Sequence, residues 1–397
     1  MSLSIPLSSP DITEAEVDAV TAVLRTPHLS LGPELAAFES ALADYHSIPH
    51  AIAVSSGTAG LHIALLTLGV AEGDEVVVPS FAFIAVANAV LLVGAQPVFA
   101  DIDPLTLNLT PSTVESALTP RTRAILAVHT FGIPADMRGL RELADRHQLV
   151  IIEDACEALG AELQQRRVGT FGDLSVFGFY PNKQITTGEG GAVLAHTQAH
   201  ADRLRSLRNQ GRSPQRRVSV DELGGRHPNP HAPHASAPAS DWLHHPDIGF
   251  NYRLSEMACA LGRVQLSRLD DILTLRRSAA ERYQALLSDI PGLELPPLTL
   301  PVCTISWFVY VVRLPQGTDR ARIQDLLANL GIATSTYFAP IHQQPAWREY
   351  IAPASTFLPV TESMGPRTLA IPFFNRITAH QQQQVAAALR EAISLQA

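Results

Sequence analysis

The sequence predicts an α/β protein: a mostly parallel sheet covered by helices on both faces, then a smaller α+β C-terminal part. Two patterns and the composition lead there. Short apolar runs alternate with helical segments from Ala51 to Ala155, the signature of strands buried on both faces. A long amphipathic stretch, Leu254 to Leu287, then bridges to a tail that mixes strand and helix. At 397 residues, 46% hydrophobic and 17% charged, the chain has ample core material and a length that suggests two domains. The expected division is a large domain over 1–265 and a small one over 266–397.

The first helix is signalled by Thr13 as N-cap with Glu16 as its capping-box partner. Val17, Val20, Val23 and Leu24 follow at helical spacing. Leu29 to Pro33 breaks it. Pro33 to Tyr45 gives a second helix with Leu35, Phe38 and Leu42 as its apolar stripe. Ala51 to Val54 is a short strand. The turn Ser55-Ser56-Gly57-Thr58 leads from it into a helix from about Ala59 to Leu68. Strand, Gly-containing turn and helix start aim free N–H groups and the positive end of a helix dipole at an anion. The hydroxyls of Ser56 and Thr58 can add hydrogen bonds. An ordinary capped helix accounts for this block equally well. It is neither a Walker loop nor a GxGxxG turn.

Strands at Glu75–Ser80, Pro97–Asp103, Ala124–Gly132 and Leu149–Ala155 alternate with helices at Ala82–Val93, Pro111–Leu118 and Met137–His147. Sites in such sheets lie beyond the carboxyl ends of strands. Thr58, Phe83, His129 and Asp154 each follow a strand, so they can converge there. Arg203 to Arg212 reads as a basic helix end. Ser213 to Trp242 is polar, rich in His, Pro, Arg and Ala, and aperiodic, which reads as a long mobile loop. Its His227, His231 and His234 lack metal-ligand spacing. Leu254 to Leu287 is one long helix or two, with Ser255 as a cap and Pro291-Gly292 as the stop. A strand at Trp307–Leu314, a helix at Asp319–Leu330, an extended stretch at Thr334–Tyr337 and a helix at Ala379–Leu395 complete the chain.

Net charge is −9, so nothing points to nucleic acid. The longest apolar stretch, Phe81 to Ala95, is too short to span a bilayer and carries Asn88. The N-terminal residues show no basic start and no apolar h-region of a secretory signal. The three cysteines, Cys156, Cys259 and Cys303, are dispersed and without metal spacing. That fits a reducing compartment, and a cytoplasmic location is expected. Cys156 reads as a small core residue, since no basic group is obviously placed to activate it.

One stretch carries chemistry. Ile151 to Val193 opens on an apolar strand ending in acid, IIEDA, and closes on a lone lysine, Lys183, followed by TTGEGG. Pyridoxal phosphate (PLP) chemistry needs such a pair. A lysine amine forms the Schiff base with the cofactor aldehyde, and a carboxylate keeps the pyridine nitrogen protonated. Asp154 is the candidate carboxylate and Lys183 the candidate amine. An acid at a strand end is ordinary by itself. The paired glycines beside an isolated lysine shift the balance, because they let backbone approach a ligand or turn sharply.

From residue 6 to about residue 345, the chain resembles the DegT-type (DegT/DnrJ/StrS) nucleotide-sugar aminotransferases, within the fold-type I PLP enzymes. The stretches that carry the resemblance include LSLGPELAAFESALADY, SSGTAGLHIALLTLGVAEGDEVVVPSFAF, PVFADID, HTFGIPADM, IEDACEALGA, VGTFGD, FYPNKQITTGEGG, LRNQGR, GFNYRLSEMACALGRVQL and GIATSTYFAPIH, with a weaker match at LAIPFF. The resemblance implies a three-layer α/β/α large domain and an α+β small one. It implies Lys183 as the Schiff-base lysine, Asp154 as the pyridine-nitrogen acid, and Ser56, Gly57 and Thr58 as the phosphate turn. Phe83 falls where relatives stack an aromatic ring on the cofactor. Asn251 matches an asparagine that reaches the phosphate of the neighbouring subunit's cofactor, which implies a homodimer with shared sites. Tyr180, Arg253, Tyr337 and His342 are the implied substrate-side residues.

Two positions depart from the family pattern. Relatives often have Ser where this chain has Gly178, so a hydroxyl to the phosphate is replaced or lost. Relatives often have Gln or His where this chain has Glu157, near the cofactor's phenolic oxygen. A carboxylate there repels a phenolate unless it is protonated or paired. The implied reaction moves an amino group, from glutamate by resemblance, onto a keto-sugar attached to a nucleotide. It serves polysaccharide, lipopolysaccharide or secondary-metabolite sugar synthesis. Two half-reactions in one site imply ping-pong kinetics. Lys183 argues against the sugar dehydratase branch, which has His there. The alternative from another class is a PLP-binding regulator without turnover.

Overall fold

The computed structural model describes residues 5–213, 245–347, 350 and 357–396. The expected loop at 213–242, with its three histidines, falls almost wholly outside them. Helices α1 (Glu14–Leu24) and α2 (Pro33–His46) lead into strand β1 (His50–Val54) and helix α3 (Gly57–Thr67). Then follow β2 (Glu75–Pro79), α4 (Ala85–Leu92), β3 (Gln96–Ala100), α5 (Pro111–Glu115), β4 (Thr122–Val128), α6 (Met137–His147) and β5 (Val150–Asp154). The alternation read from the sequence is therefore present. Its boundaries move where turns intervene. The strand expected to reach Gly132 ends at Val128, because a 3-10 turn over Thr130–Gly132 carries Phe131 at φ 57°.

Between β5 and the next helix lie four strands that the alternation does not foreshadow. A short hairpin, β6 (Glu162–Leu163) and β7 (Arg166–Arg167), precedes β8 (Leu174–Gly178) and β9 (Gly191–Ala195). Among the described residues the main sheet has seven strands, in the order β1-β9-β8-β5-β4-β2-β3. Neighbours are parallel, except that β9 runs antiparallel to both β1 and β8. Strands β8 and β9 are joined by the lysine loop rather than by a crossover helix, which is why they run antiparallel.

Side-chain alternation sorts this sheet. Ile52, Val54, Val76, Val78, Leu126, Ile152, Val176 and Val193 pack with α3 and α4 on one face, and with helix α7 (Gln198–Arg208). Ala51, Ala53, Phe177 and Leu194 pack beneath α2 on the other, and Ile125, Ala127 and Ile151 pack against α6. Helix α1 corrects its expected stripe. Val23 is buried, but Val17 and Leu24 are exposed, and Glu16 takes the inward position. Its carboxylate accepts from the Thr13 N–H at 2.7 Å and pairs with Arg268.

Helices α8 (Glu256–Ser267) and α9 (Leu269–Leu287) form the bridge. Ser255 caps α8 by accepting from the Ala258 N–H at 3.3 Å. Leu269 and Ile272 of α9 pack into the core beneath α2, whereas Ala279, Tyr283 and Leu287 pack into a second core. Strand β10 (Cys303–Thr304) pairs with β6. The second core lies behind a two-stranded antiparallel sheet, β11 (Tyr310–Arg313) and β12 (Thr368–Ile371). Helices α10 (Arg320–Asn329) and α12 (Ala379–Ser394) cover it, and Ile5 from the other end of the chain joins it. Helix α11 (Pro359–Met364) docks on the main sheet: Asp101, just past β3, accepts from the Val360 and Thr361 N–H groups, both at 2.9 Å.

Candidate active site

Lys183 sits in the loop between β8 and β9. The loop is closed by Phe179, which donates to the Gly190 carbonyl and accepts from the Thr187 N–H. Gly188 makes the turn at φ +81°, where a side chain would be strained. The Lys183 N–H donates to the Tyr180 carbonyl at 2.9 Å. Its amine lies 3.6 Å from Glu157 Oε1 and 3.9 Å from the centre of the Phe308 ring.

Asp154 ends β5 on the same face as Ile152. It is buried, and Oδ1 accepts from the Cys156 N–H at 3.0 Å. Glu157, in the turn just beyond, is buried too. Its Oε2 accepts from the Phe131 N–H at 2.9 Å. Burial pushes the Glu157 carboxyl above its ordinary value, and the Lys183 amine and the Phe131 N–H only partly offset that. Burial, then the Asp154 charge, pushes the Cys156 thiol well up, so Cys156 is not a nucleophile.

Ser56 is the N-cap of α3 and accepts from the Ala59 N–H at 3.0 Å. Its oxygen is thus committed to the helix, with the hydroxyl proton left to donate. Gly57 and Thr58 open the helix, where backbone N–H groups have no intrahelical acceptor. Gly57 and Gly178 both press on Cys156: an added Cβ would lie 2.8 and 3.2 Å from its Sγ. Close packing therefore requires glycine at Gly57 and leaves little room for a side chain at Gly178.

Phe83 is 61% exposed and Tyr180 52% exposed. Tyr337 stacks on Phe308 with ring centres 6.2 Å apart, and Asn182 Nδ2 donates to its hydroxyl at 3.4 Å. Asn182 Oδ1 is buried and has no partner among the described residues, an acceptor left open beside the lysine.

One residue sits differently from expectation. His129 is not at the site. It is buried on the face of Ile151, with Nε2 3.1 Å from Glu153 Oε2 and Nδ1 accepting from the Ala135 N–H. Glu153 also accepts from Gly169, Phe171 and Gly172 N–H groups. Burial opposes its ionisation, but the His129 bond and these N–H groups outweigh it and hold its carboxyl below the ordinary value. His342 is engaged by Ser80 at 2.6 Å and Glu362 at 3.3 Å. Arg253 donates to Asn209 Oδ1 at 2.9 Å.

Asn251 has an exposed side chain and bridges Asn209 through its backbone. The next residue, Tyr252, accepts from the Ser55 N–H at 2.8 Å. The segment therefore lies against this chain's own Ser55–Thr58 turn. Phe308, Asn182 and Arg276, which donates to the Lys183 carbonyl at 3.0 Å, were not singled out from sequence. Asn182 adjoins the lysine and could have been. The other two are distant in sequence and carry no local signal.

The residues fit pyridoxal phosphate. An amine, a buried carboxylate at a strand end, a helix N-terminus beside glycines and an unmet buried acceptor surround one place. Among the described residues no helix is long and apolar enough to cross a membrane.

The likeness to known proteins spans the whole chain. It is 36% identical over 394 residues to GDP-perosamine synthase of Caulobacter vibrioides, covering 98% of both. Among solved structures, DesV of S. venezuelae, crystallised with a ketimine intermediate, matches with a TM-score of 0.83 at 37% identity over 98% of each chain. The aminotransferase TlmJ of Streptoalloteichus hindustanus matches with a TM-score of 0.87 at 30% identity, over 98% of this chain and 99% of that one. The model of the DegT/DnrJ/EryC1/StrS aminotransferases matches residues 10–390, and the chain belongs to that family.

Proposed function

We propose that this protein is a PLP-dependent aminotransferase that places an amino group on a keto-sugar carried by a nucleotide, with glutamate as donor. The observation that carries the reading is the Lys183 amine set against Glu157 and the Phe308 ring, in a chain whose strand β5 ends on the buried Asp154. When bound, pyridoxal phosphate supplies an aldehyde that condenses with amines and a ring that accepts electrons.

The chain's residues do the rest. Lys183 would hold the cofactor through its side-chain amine and would move a proton as base and then as acid. Asp154 keeps a positive charge on the ring nitrogen. Gly57, Thr58 and the start of α3 take the phosphate, with the Ser56 proton as a further donor. Phe83 offers an open aromatic face. Glu157 would border the phenolic oxygen, where its raised proton affinity would favour donation over repulsion. Tyr180, Tyr337, Arg253 and His342 are proposed for the substrate side, with Asn182 Oδ1 as a further acceptor.

Whole-chain similarity to aminotransferases favours turnover over a PLP-binding regulator. The relative named GDP-perosamine synthase supports a GDP-linked keto-sugar as the first substrate to try. The remaining proposals are a homodimer whose Asn251 reaches the partner's cofactor, a cytoplasmic location and a role in polysaccharide synthesis. The deciding experiment mixes the protein with amino acids, then with nucleotide keto-sugars, and follows the cofactor absorbance and the product mass. A bleached band with glutamate and an aminated nucleotide sugar support the reading. No product from any keto-sugar, with the donor reaction intact, sinks it.

A further inference from the structure

The root of the catalytic lysine is pinned from a distance. Arg276, on α9, is buried, and burial pushes its guanidinium down to about 10. Among the described residues it makes no ion pair. Its fork instead holds three backbone carbonyls: Lys183 at 3.0 Å, Phe308 at 2.9 Å and Trp307 at 3.2 Å. A buried cation spent on carbonyls is costly unless those bonds define geometry that matters.

These carbonyls belong to the two parts that face each other at the site. One is the backbone of Lys183. The other carries the Phe308 ring, whose centre is 3.9 Å from the Lys183 amine. Gln184 repeats the tie, donating to the Glu157 carbonyl at 2.6 Å and the Ser306 carbonyl at 3.1 Å. The tip of the lysine is held more loosely, by a 3.6 Å approach to Glu157 and by the ring. A fixed root with a free tip suits a group that must release its cofactor and then move a proton.

We propose that Arg276 is a positioning residue for Lys183: its planar fork locks the lysine backbone and the Phe308 ring into one unit. Lysine cannot reproduce the fork, because a single ammonium is a point donor and lacks the two rigidly spaced nitrogens that serve these carbonyls. The inference rests on the reading of Lys183 as the cofactor-bearing amine.

The test separates the lysine from the cavity. Apoprotein is mixed with pyridoxal phosphate and covalent capture is timed by absorbance. Pyridoxamine phosphate, which cannot link to the lysine, is titrated in parallel. Arg276→Lys should capture more slowly by on the order of tenfold to a hundredfold, the cost of a misplaced reacting group. Its kcat should fall in step, while pyridoxamine phosphate affinity and donor KM stay within about twofold. Phe308→Leu keeps the carbonyl but removes the ring, and should also slow capture if Arg276→Lys does not fold. Parental capture rates in a folded Arg276→Lys, or in Phe308→Leu, overturn the proposal. So does an equal loss of pyridoxamine phosphate affinity, which would mean general damage to the cavity. If Lys183→Ala itself still captures the cofactor covalently, the underlying assignment of Lys183 fails instead.

Discussion

Glu157 Oε1 lies 3.6 Å from Lys183 Nζ, while Oε2 accepts from the Phe131 N–H at 2.9 Å. One carboxylate thus faces the Lys183 amine with its other oxygen fixed. Burial is the largest influence on it and raises its proton affinity. The folded protein therefore binds this proton more tightly than the unfolded chain, whose value is 4.5. Below 4.5 both states are protonated and the group costs nothing. As pH rises from there toward the higher folded value, stability falls. Glu157→Gln keeps the bond to Phe131 and removes that loss. The variant should gain stability over the parent above pH 4.5 and show no gain below it. Thermal midpoints of the cofactor-free proteins across that range check the sign, and a parent that gains on the variant with rising pH refutes it.

Lys183→Ala should hold the cofactor only reversibly. Borohydride treatment should then leave none attached, and loss of a positioned proton carrier should lower turnover by on the order of 10²–10⁴-fold or more. Parental turnover in this variant would falsify the assignment.

Asp154→Asn should fold, since the Cys156 N–H can still donate to the amide oxygen. A neutral amide stabilises a ring cation far less than a carboxylate. The expected loss is about 3 kcal/mol in the barrier, on the order of a hundredfold in kcat. Near-normal kcat would remove Asp154 from that role.

Gly178→Ser places a Cβ 3.2 Å from Cys156 Sγ. Alone it should cost about 1–3 kcal/mol of stability by overpacking. Adding Cys156→Ala should recover most of that and allow the new hydroxyl to tighten pyridoxal phosphate binding. Additive effects in the four-protein cycle would show that the two residues do not restrict each other.

Asn251 separates shared from self-contained sites. Its side chain is exposed, yet Tyr252 beside it bonds to this chain's own Ser55. Inactive Lys183→Ala chains are mixed with inactive Asn251→Ala chains, with subunit exchange verified. If sites are shared across a twofold dimer, one site in each heterodimer carries neither defect and activity returns. If sites are self-contained, activity stays low.

Local signals made much of this protein legible. The apolar alternation from β1 to β5 is a sum of short-range preferences, each strand being buried on both faces. The cap at Ser255, the lone lysine before TTGEGG and the acid at the end of β5 are likewise local patterns. The sequence could not sort the two acids Glu153 and Asp154, or exclude His129, because faces depend on strand pairing. With a side-chain period of two, Asp154 turns toward the α3 face, while Glu153 turns away and takes His129 with it. Nor could it show Val17 and Leu24 exposed while Glu16 is buried, since helical spacing names a stripe but not the face that meets a partner. Arg276 reaches Lys183 across 93 residues. Contacts of that span leave no periodic trace, and only packing of α9 against the lysine loop brings them together.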